Sequence, residues 1–304
     1  MTSNRTIPLR PVSLLLSLAS LWMLGAAPNG LAETKKKEPK PIVTAASVLE
    51  EAQLAYARGD RANAMSLINK AIHLEPNNSR GYFARARLES TQGNPEKALE
   101  DYNKVIALDP SSGDVYQLRG LTHFELGHPV DAVQDFNHYL TLSPDQIPHH
   151  WQRGIAYYYC DRYAEGRRQF ELHQEVNPQD VENAAWHFFC VARVEGVEKA
   201  RALLLPVTLD SRVPMMQILA LLAGKATPDD VIAAATAGNP TQATRQRQLF
   251  HAHLYLGLYH EVMKEEKQSR EHIAQAVELA AKGDYMGIVA KVHSKLRKGA
   301  GKGK

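Results

Sequence analysis

Residues 79–112, SRGYFARARLESTQGNPEKALEDYNKVIALDPSS, and residues 113–146, GDVYQLRGLTHFELGHPVDAVQDFNHYLTLSPDQ, are two copies of one pattern. Superposed, they set Ala86 over Gly120, Ala98 over Ala132, Tyr102 over Phe136 and Pro110 over Pro144. The pattern extends in both directions, because Pro76, Pro110, Pro144 and Pro178 stand 34 residues apart. Even spacing in this range marks an array of helix pairs stacked one on the next. With the proline numbered 32 in each unit, position 8 carries Ala52, Ala86, Gly120 and Gly154, and position 20 carries Ala64, Ala98, Ala132 and Gly166. Position 24 carries Ile68, Tyr102, Phe136 and Phe170. Small residues let two helices approach, and bulky ones fill the space between neighbouring pairs. Proline at 32 ends the second helix, since it lacks an N–H and disfavours helical backbone before it. Inside the units the chain turns at Gly59-Asp60, Gly93-Asn94-Pro95, Gly127-His128-Pro129 and Cys160-Asp161-Arg162, mostly with the residues that stop one helix and start another.

On these positions the chain resembles the tetratricopeptide repeat family across residues 45–180. The resemblance implies an all-α fold, an α-α superhelix or TPR solenoid, with an irregular helical middle and a C-terminal capping helix. Beyond Pro178 the pattern decays. A helix pair is expected over residues 181–205, and a shift of two residues is preferred there, with Trp186 at 4, Cys190 at 8 and Ala202 at 20. Two short helices follow near Met215 and Asp229, the second started by Thr227-Pro228. A regular repeat returns over 250–283, with Gly257 at 8, Ile273 at 24 and Ala276 at 27. Residues 181–249 are thus degenerate repeats, and 284–304 a capping helix with a basic tail. Regular repeats, an irregular middle and a late repeat containing Tyr255-Leu256-Gly257-Leu258-Tyr259 are similar to exported NlpI-type adaptors. Those are lipid-anchored, and no anchoring cysteine stands here.

The first 32 residues have the form of a signal peptide: Arg5 and Arg10, an apolar run over 12–27, and small residues at Gly30 and Ala32. Export to the periplasm or outside the cell is the expectation, followed by a Lys/Pro-rich linker over 33–44. With 44% hydrophobic and 23% charged residues the composition is that of a globular protein. Its formal charge of +3 is uneven. The two ends hold 12 of 36 basic residues and 2 of 33 acids, so residues 41–290 carry 24 basic against 31 acidic groups, a net of −7. An acidic body argues against nucleic acid. The basic ends suit weak contact with an anionic surface.

No phosphate-binding glycine loop, nucleophile elbow or CxxC pair appears, and no enzyme, cofactor or metal is expected. Of thirteen histidines, His150 and His253 fall at position 4, and His123 and His260 at position 11, where aromatic rings face the core. His251 with His253 and His260 lacks an accompanying HExxH motif. His173 at position 27 reads as packing. An enzyme built on His173, Glu182 and His187 is the alternative, as is a self-assembling structural protein. Cys160 and Cys190 share an oxidising compartment if exported, but their placement on their helices disfavours a bond.

The resemblance implies a concave groove lined by positions 2, 5, 9, 12 and 13 of each first helix, holding a peptide or helix of a partner protein. Here those positions give a peptide-binding set of Arg80, Phe83, Arg87, Gln117, Leu121, Phe124, Trp151, Ile155, Tyr158 and His187, with Leu49, Gln53 and Tyr56 in the first repeat. Aromatics with arginine are the usual anchors of interfaces. The clamp that some family members use on a terminal carboxylate is missing, since its positions hold Leu49, Gln53, Ala84, Gln117 and Leu121.

Overall fold

Each helix pair closes where a small residue at position 8 lies under a bulky one at position 24. The computed structural model describes residues 43–299, and a Cβ placed on Gly120 there would stand 2.6 Å from Cε1 of Phe136. The same site at Gly154 meets Phe170 at 2.7 Å, and at Gly257 meets Ile273 at 2.6 Å. Position 20 lies near position 8 as well: a Cβ on Gly166 would sit 3.3 Å from the Gly154 carbonyl and 2.9 Å from Cys190 Sγ.

The described residues contain helices and no strand. Four pairs come first: α1 (Ala45–Ala57) with α2 (Arg61–Leu74), α3 (Ser79–Gln92) with α4 (Pro95–Leu108), α5 (Gly113–Glu125) with α6 (Pro129–Leu142), and α7 (Trp151–Tyr159) with α8 (Tyr163–Val176). Next come α9 (Val181–Glu195), α10 (Val197–Ala202), α11 (Met215–Leu222) and α12 (Pro228–Thr236). The last repeat is α13 (Gln242–Val262) with α14 (Glu266–Leu279), and α15 (Tyr285–Gly299) closes the chain. The expected signal peptide, the linker up to residue 42 and the tail from 300 lie outside the described residues.

An arginine at position 7 ties each of three repeats to the one before it. Arg85 donates through Nε and Nη2 to both carboxylate oxygens of Asp101, at 2.8 Å each, and through Nη1 to Asn69 at 2.9 Å. Arg119 repeats this with Asp135 at 2.8 and 2.6 Å and with Asn103 at 2.8 Å. Arg153 repeats it with Gln169 and with Asn137 at 3.0 Å. The prolines also bridge repeats, since the Pro76 carbonyl accepts from the Tyr82 hydroxyl at 3.0 Å and Pro110 from Tyr116 at 3.2 Å.

Three departures from the sequence expectations have local causes. First, α7 has nine residues and is preceded by a 3-10 turn, Pro144–His149. Pro148 has no N–H to donate and disfavours α-helical backbone in the residue before it, and His150 then caps α7 by accepting from the Arg153 N–H at 3.1 Å. Side chains of α8 satisfy the turn: Gln169 donates to the Ile147 carbonyl at 2.7 Å and His173 bonds the Pro148 carbonyl at 2.9 Å. Second, the shifted register over 181–205 is not the one adopted. Asp180 caps α9 from position 34, as Asn78 caps α3, and Ala200 is buried whereas Ala202 is exposed. The unbroken register therefore persists, with Phe188 at position 8 and α10 cut to six residues. Third, α13 begins at Gln242, two turns ahead of the expected repeat, where the Thr241 side chain accepts from the Thr244 N–H at 3.2 Å.

The position 8 contact fixes the sign of a substitution that helix propensity alone would misjudge. Gly120→Ala should add about 1 kcal/mol of helix preference. The buried Phe136 ring cannot yield, so overpacking of about 1–3 kcal/mol should leave the variant less stable in urea or thermal unfolding. Adding Phe136→Leu should return part of the loss.

Candidate functional site

The first helices of the repeats carry the expected concave positions, and α15 decides which of them remain open. Its Tyr285 ring stacks on Phe124 with centroids 5.8 Å apart and meets Trp151 edge-on at 5.0 Å. Further along, His293 Nδ1 lies 3.1 Å from the Tyr159 hydroxyl, and Lys295 donates to the Leu126 carbonyl at 2.7 Å. Met286, Val289, Ala290 and Val292 are all buried. The helix is thus amphipathic: its buried side packs mainly on α14, and Tyr285, His293 and Lys295 reach across to the inner wall of α5 and α7.

This placement corrects much of the expected peptide-binding set. Phe124, Ile155 and Tyr158 are fully buried, and His187 is 1% exposed. The Tyr158 hydroxyl donates to Glu261 at 2.5 Å, a carboxylate that also pairs with Arg297 at 2.7 Å and Arg193 at 3.4 Å. His187 sits inside the pair α8–α9 with Nε2 3.4 Å from Glu171. Trp151 is half-buried beneath Tyr285, Leu121 packs against the same core, and Gln117 is taken by His150 Nε2 at 2.5 Å. For Phe124, Trp151 and Tyr158 the physical reason is the chain's own C-terminal helices, which supply Tyr285 and Glu261, whereas Gln117 and His187 are taken by neighbouring repeats.

The wall of the first two repeats stays open. Arg80 and Arg87 are exposed and form no ion pair among the described residues. Phe83 is half-buried, with the Arg87 guanidinium 5.9 Å from its centroid and Tyr102 at 6.5 Å behind it. Tyr56 is 44% exposed, and Gln53 is exposed beside it on α1. Arg80, Phe83 and Arg87, at positions 2, 5 and 9 of α3, line one helix face. This stretch of α3 therefore presents one partly exposed aromatic ring beside two guanidiniums that have no carboxylate partner among the described residues.

The histidines and the acid of the alternative enzyme are each engaged by a different partner. His173 is bonded to the Pro148 carbonyl, Glu182 to Arg212 at 2.9 Å and the Tyr255 hydroxyl at 2.9 Å, and His187 faces Glu171. Of the core-position histidines, His150 and His260 are buried, and His253 meets His272 through their Nδ1 atoms at 2.9 Å. Cys160 and Cys190 are both free thiols, and burial pushes Cys160 up to about 11. No helix among the described residues is long and apolar enough to cross a membrane.

Burial holds the His150 and His293 imidazoles neutral, each lowered to about 4. In the unfolded chain the same rings take protons near 6.5. The unfolded state therefore binds more protons between these values, and stability should fall as pH drops from about 6.5 towards 4. The fall should be of order 3 kcal/mol per ring, followed by urea unfolding at stepped pH. A shallower slope is expected for His293→Gln, whatever its stability at pH 7.

Residues 89–127 match the family profile described as TPR repeat, and residues 67–100 match the one described as Tetratricopeptide repeat. No curated protein matches the chain. In fold the chain is similar to the crystal structure of a tetratricopeptide repeat protein from Parabacteroides merdae, at 19% identity and a TM-score of 0.53, over 84% of this chain and 98% of that one. A Pseudomonas aeruginosa pilF structure aligns at 16% identity over 81% and 97% of the chains, with a TM-score of 0.44. A crystal structure of MamA protein aligns at 14% identity over 65% and 97%, with a TM-score of 0.49.

Proposed function

From the premise that the chain is a tetratricopeptide repeat protein, we propose that it is a non-enzymatic scaffold that holds an acidic, apolar-anchored segment of a partner protein on α1 and α3. The observation that carries this reading is the contrast along the inner wall. Arg80 and Arg87 are exposed beside a half-buried Phe83, while Phe124 and Trp151 of the third and fourth repeats are covered by Tyr285 of α15. Apolar burial at Phe83 and Tyr56 would supply affinity, and the two guanidiniums would select the sign of the ligand charge. The signal-like first 32 residues support export as part of the proposal, which places the partner in the periplasm or outside the cell.

A fluorescence-anisotropy screen of short peptides tests it. Peptides with an aromatic or leucine anchor among acids should bind, and basic counterparts should not. Arg80→Glu with Arg87→Glu should weaken binding by roughly tenfold or more, in line with loss of charge-assisted contacts. Phe83→Ala should do likewise while Trp151→Ala, under Tyr285, changes stability and leaves affinity alone. Equal affinity for the α3 variants and the parent chain would remove this surface from the function.

A further inference from the structure

The turn between α5 and α6 gathers three metal-ligating side chains that the scaffold reading does not use. Gly127, in the left-handed region at φ +79°, ends α5, and the His128 N–H then bonds the His123 carbonyl at 2.8 Å. Pro129 opens α6, with Asp131 in its first turn. The two imidazole centroids stand 6.1 Å apart. One ligand atom from each of His123, His128 and Asp131 lies within 4.8 Å of the other two.

The same corner of other repeats shows what normally fills it. At positions 11, 16 and 19 the second repeat has Glu89 accepting from Asn94 at 2.7 Å, with Lys97 at 4.0 Å. The fourth has Arg162 over the Tyr157 ring at 4.6 Å and paired with Glu165 at 2.7 Å. The last has His260 bonded to Glu265 at 2.5 Å. In the third repeat the three side chains make no hydrogen bond among the described residues. His123 Nδ1 is buried without a partner, and His128, although the N-cap residue of α6, makes no capping bond. The remaining nitrogen of His123, Nε2, lies 3.9 Å from the Asp135 carboxylate. That separation is beyond a hydrogen bond and Asp135 is already held by Arg119, so His123 keeps the buried Nδ1 without any partner.

We propose that His123, His128 and Asp131 bind a divalent ion of the zinc class, with a fourth position open to water. Two imidazoles and one carboxylate form a recognised donor set for such an ion. Tetrahedral ligands at about 2.0–2.1 Å stand about 3.3 Å from one another. From the observed separations of up to 4.8 Å, binding would require the exposed His128 and Asp131 side chains to rotate inward. Lys295 of α15 holds the Leu126 carbonyl in this same turn, so the ion would stiffen the seat of the closing helix.

The test uses the untagged chain, with zinc binding read by calorimetry and cobalt binding by visible absorption. One ion per chain, the intense bands of tetrahedral cobalt and a raised Tm are expected. The double variant His128→Ala with Asp131→Ala should lose the bands and weaken zinc binding by roughly tenfold or more, with an unchanged far-ultraviolet spectrum. His253→Ala, at the other histidine pair, should keep both signals. Zinc binding undiminished in the double variant, or none in the parent chain up to millimolar zinc, overturns the proposal.

Discussion

One aromatic ring, Tyr285, sits between Phe124 and Trp151 and thereby joins the end of the chain to its middle. A final helix in a repeat array has an apolar face and no following repeat to cover it. Here that face packs on α14, while Tyr285 and His293 reach back to the inner wall of α5 and α7. As a result, buried residues from Phe124 through Val292 form one continuous core. The first two repeats keep small cores of their own, such as Ala52, Ala55, Ala64, Ile68 and Leu88. The position of α15 therefore divides the inner surface into a sealed part and an open part, and only the open part is available to a ligand.

Stacking register depends on a second device, the arginine at position 7. Its guanidinium spans from a carboxylate or amide in its own repeat to an asparagine in the preceding one, so neighbouring units cannot slide without breaking several bonds. The Arg119 pair with Asp135 is largely buried, side chains 21% and 6% exposed. A partner removed from such a pair leaves an uncompensated charge, which costs more than the intact pair contributes. In the fourth repeat the carboxylate gives way to Gln169, and burial lowers Arg153 below its ordinary value, whereas the Asp135 bond raises Arg119. That substitution coincides with the repeat where Pro148 displaces the helix start, and Gln169 has an amide to spend on the Ile147 carbonyl. A carboxylate there could accept from Arg153 but could not donate to the turn.

The fold was legible because its signals are local and recur: the prolines at 32, the small residues at 8 and 20, the rings at 24. The arginine ladder was equally legible, with Asn69, Asn103 and Asn137 at the same period as Arg85, Arg119 and Arg153, but side-chain bonding between repeats is less conspicuous than a helix breaker. The delayed start of α7 went unread, although Pro148 disfavours an α-helical residue before it. The site was less legible, since position numbers say which residues face the inner wall and nothing about what already lies on it. Trp151 and Phe124 look like a ligand platform until Tyr285, more than a hundred residues away, is placed on them. The register over 181–205 failed for a related reason: Phe188 is too large for a close helix approach, yet α10 is only six residues long. The repeat numbering places His123 at a core position and His128 only in a turn, which hides that the two are neighbours across Gly127.

Placing the open surface on the first two repeats has a thermodynamic consequence. In a linear array each repeat is held by its own packing and by its neighbours, so the end repeat, with one neighbour and a small apolar core, is the first to open. Both α1 and α3 lie at that end, whereas the remainder is locked by the return of α15. A ligand bound there stabilises the folded form in proportion to the logarithm of its concentration over Kd. On the proposed reading, binding and folding of the amino-terminal repeats would be linked: what the groove gains in accessible aromatic and cationic surface it would lose in intrinsic rigidity, and occupancy would restore it. A sealed inner wall downstream supplies the fixed base on which such a compliant end can work.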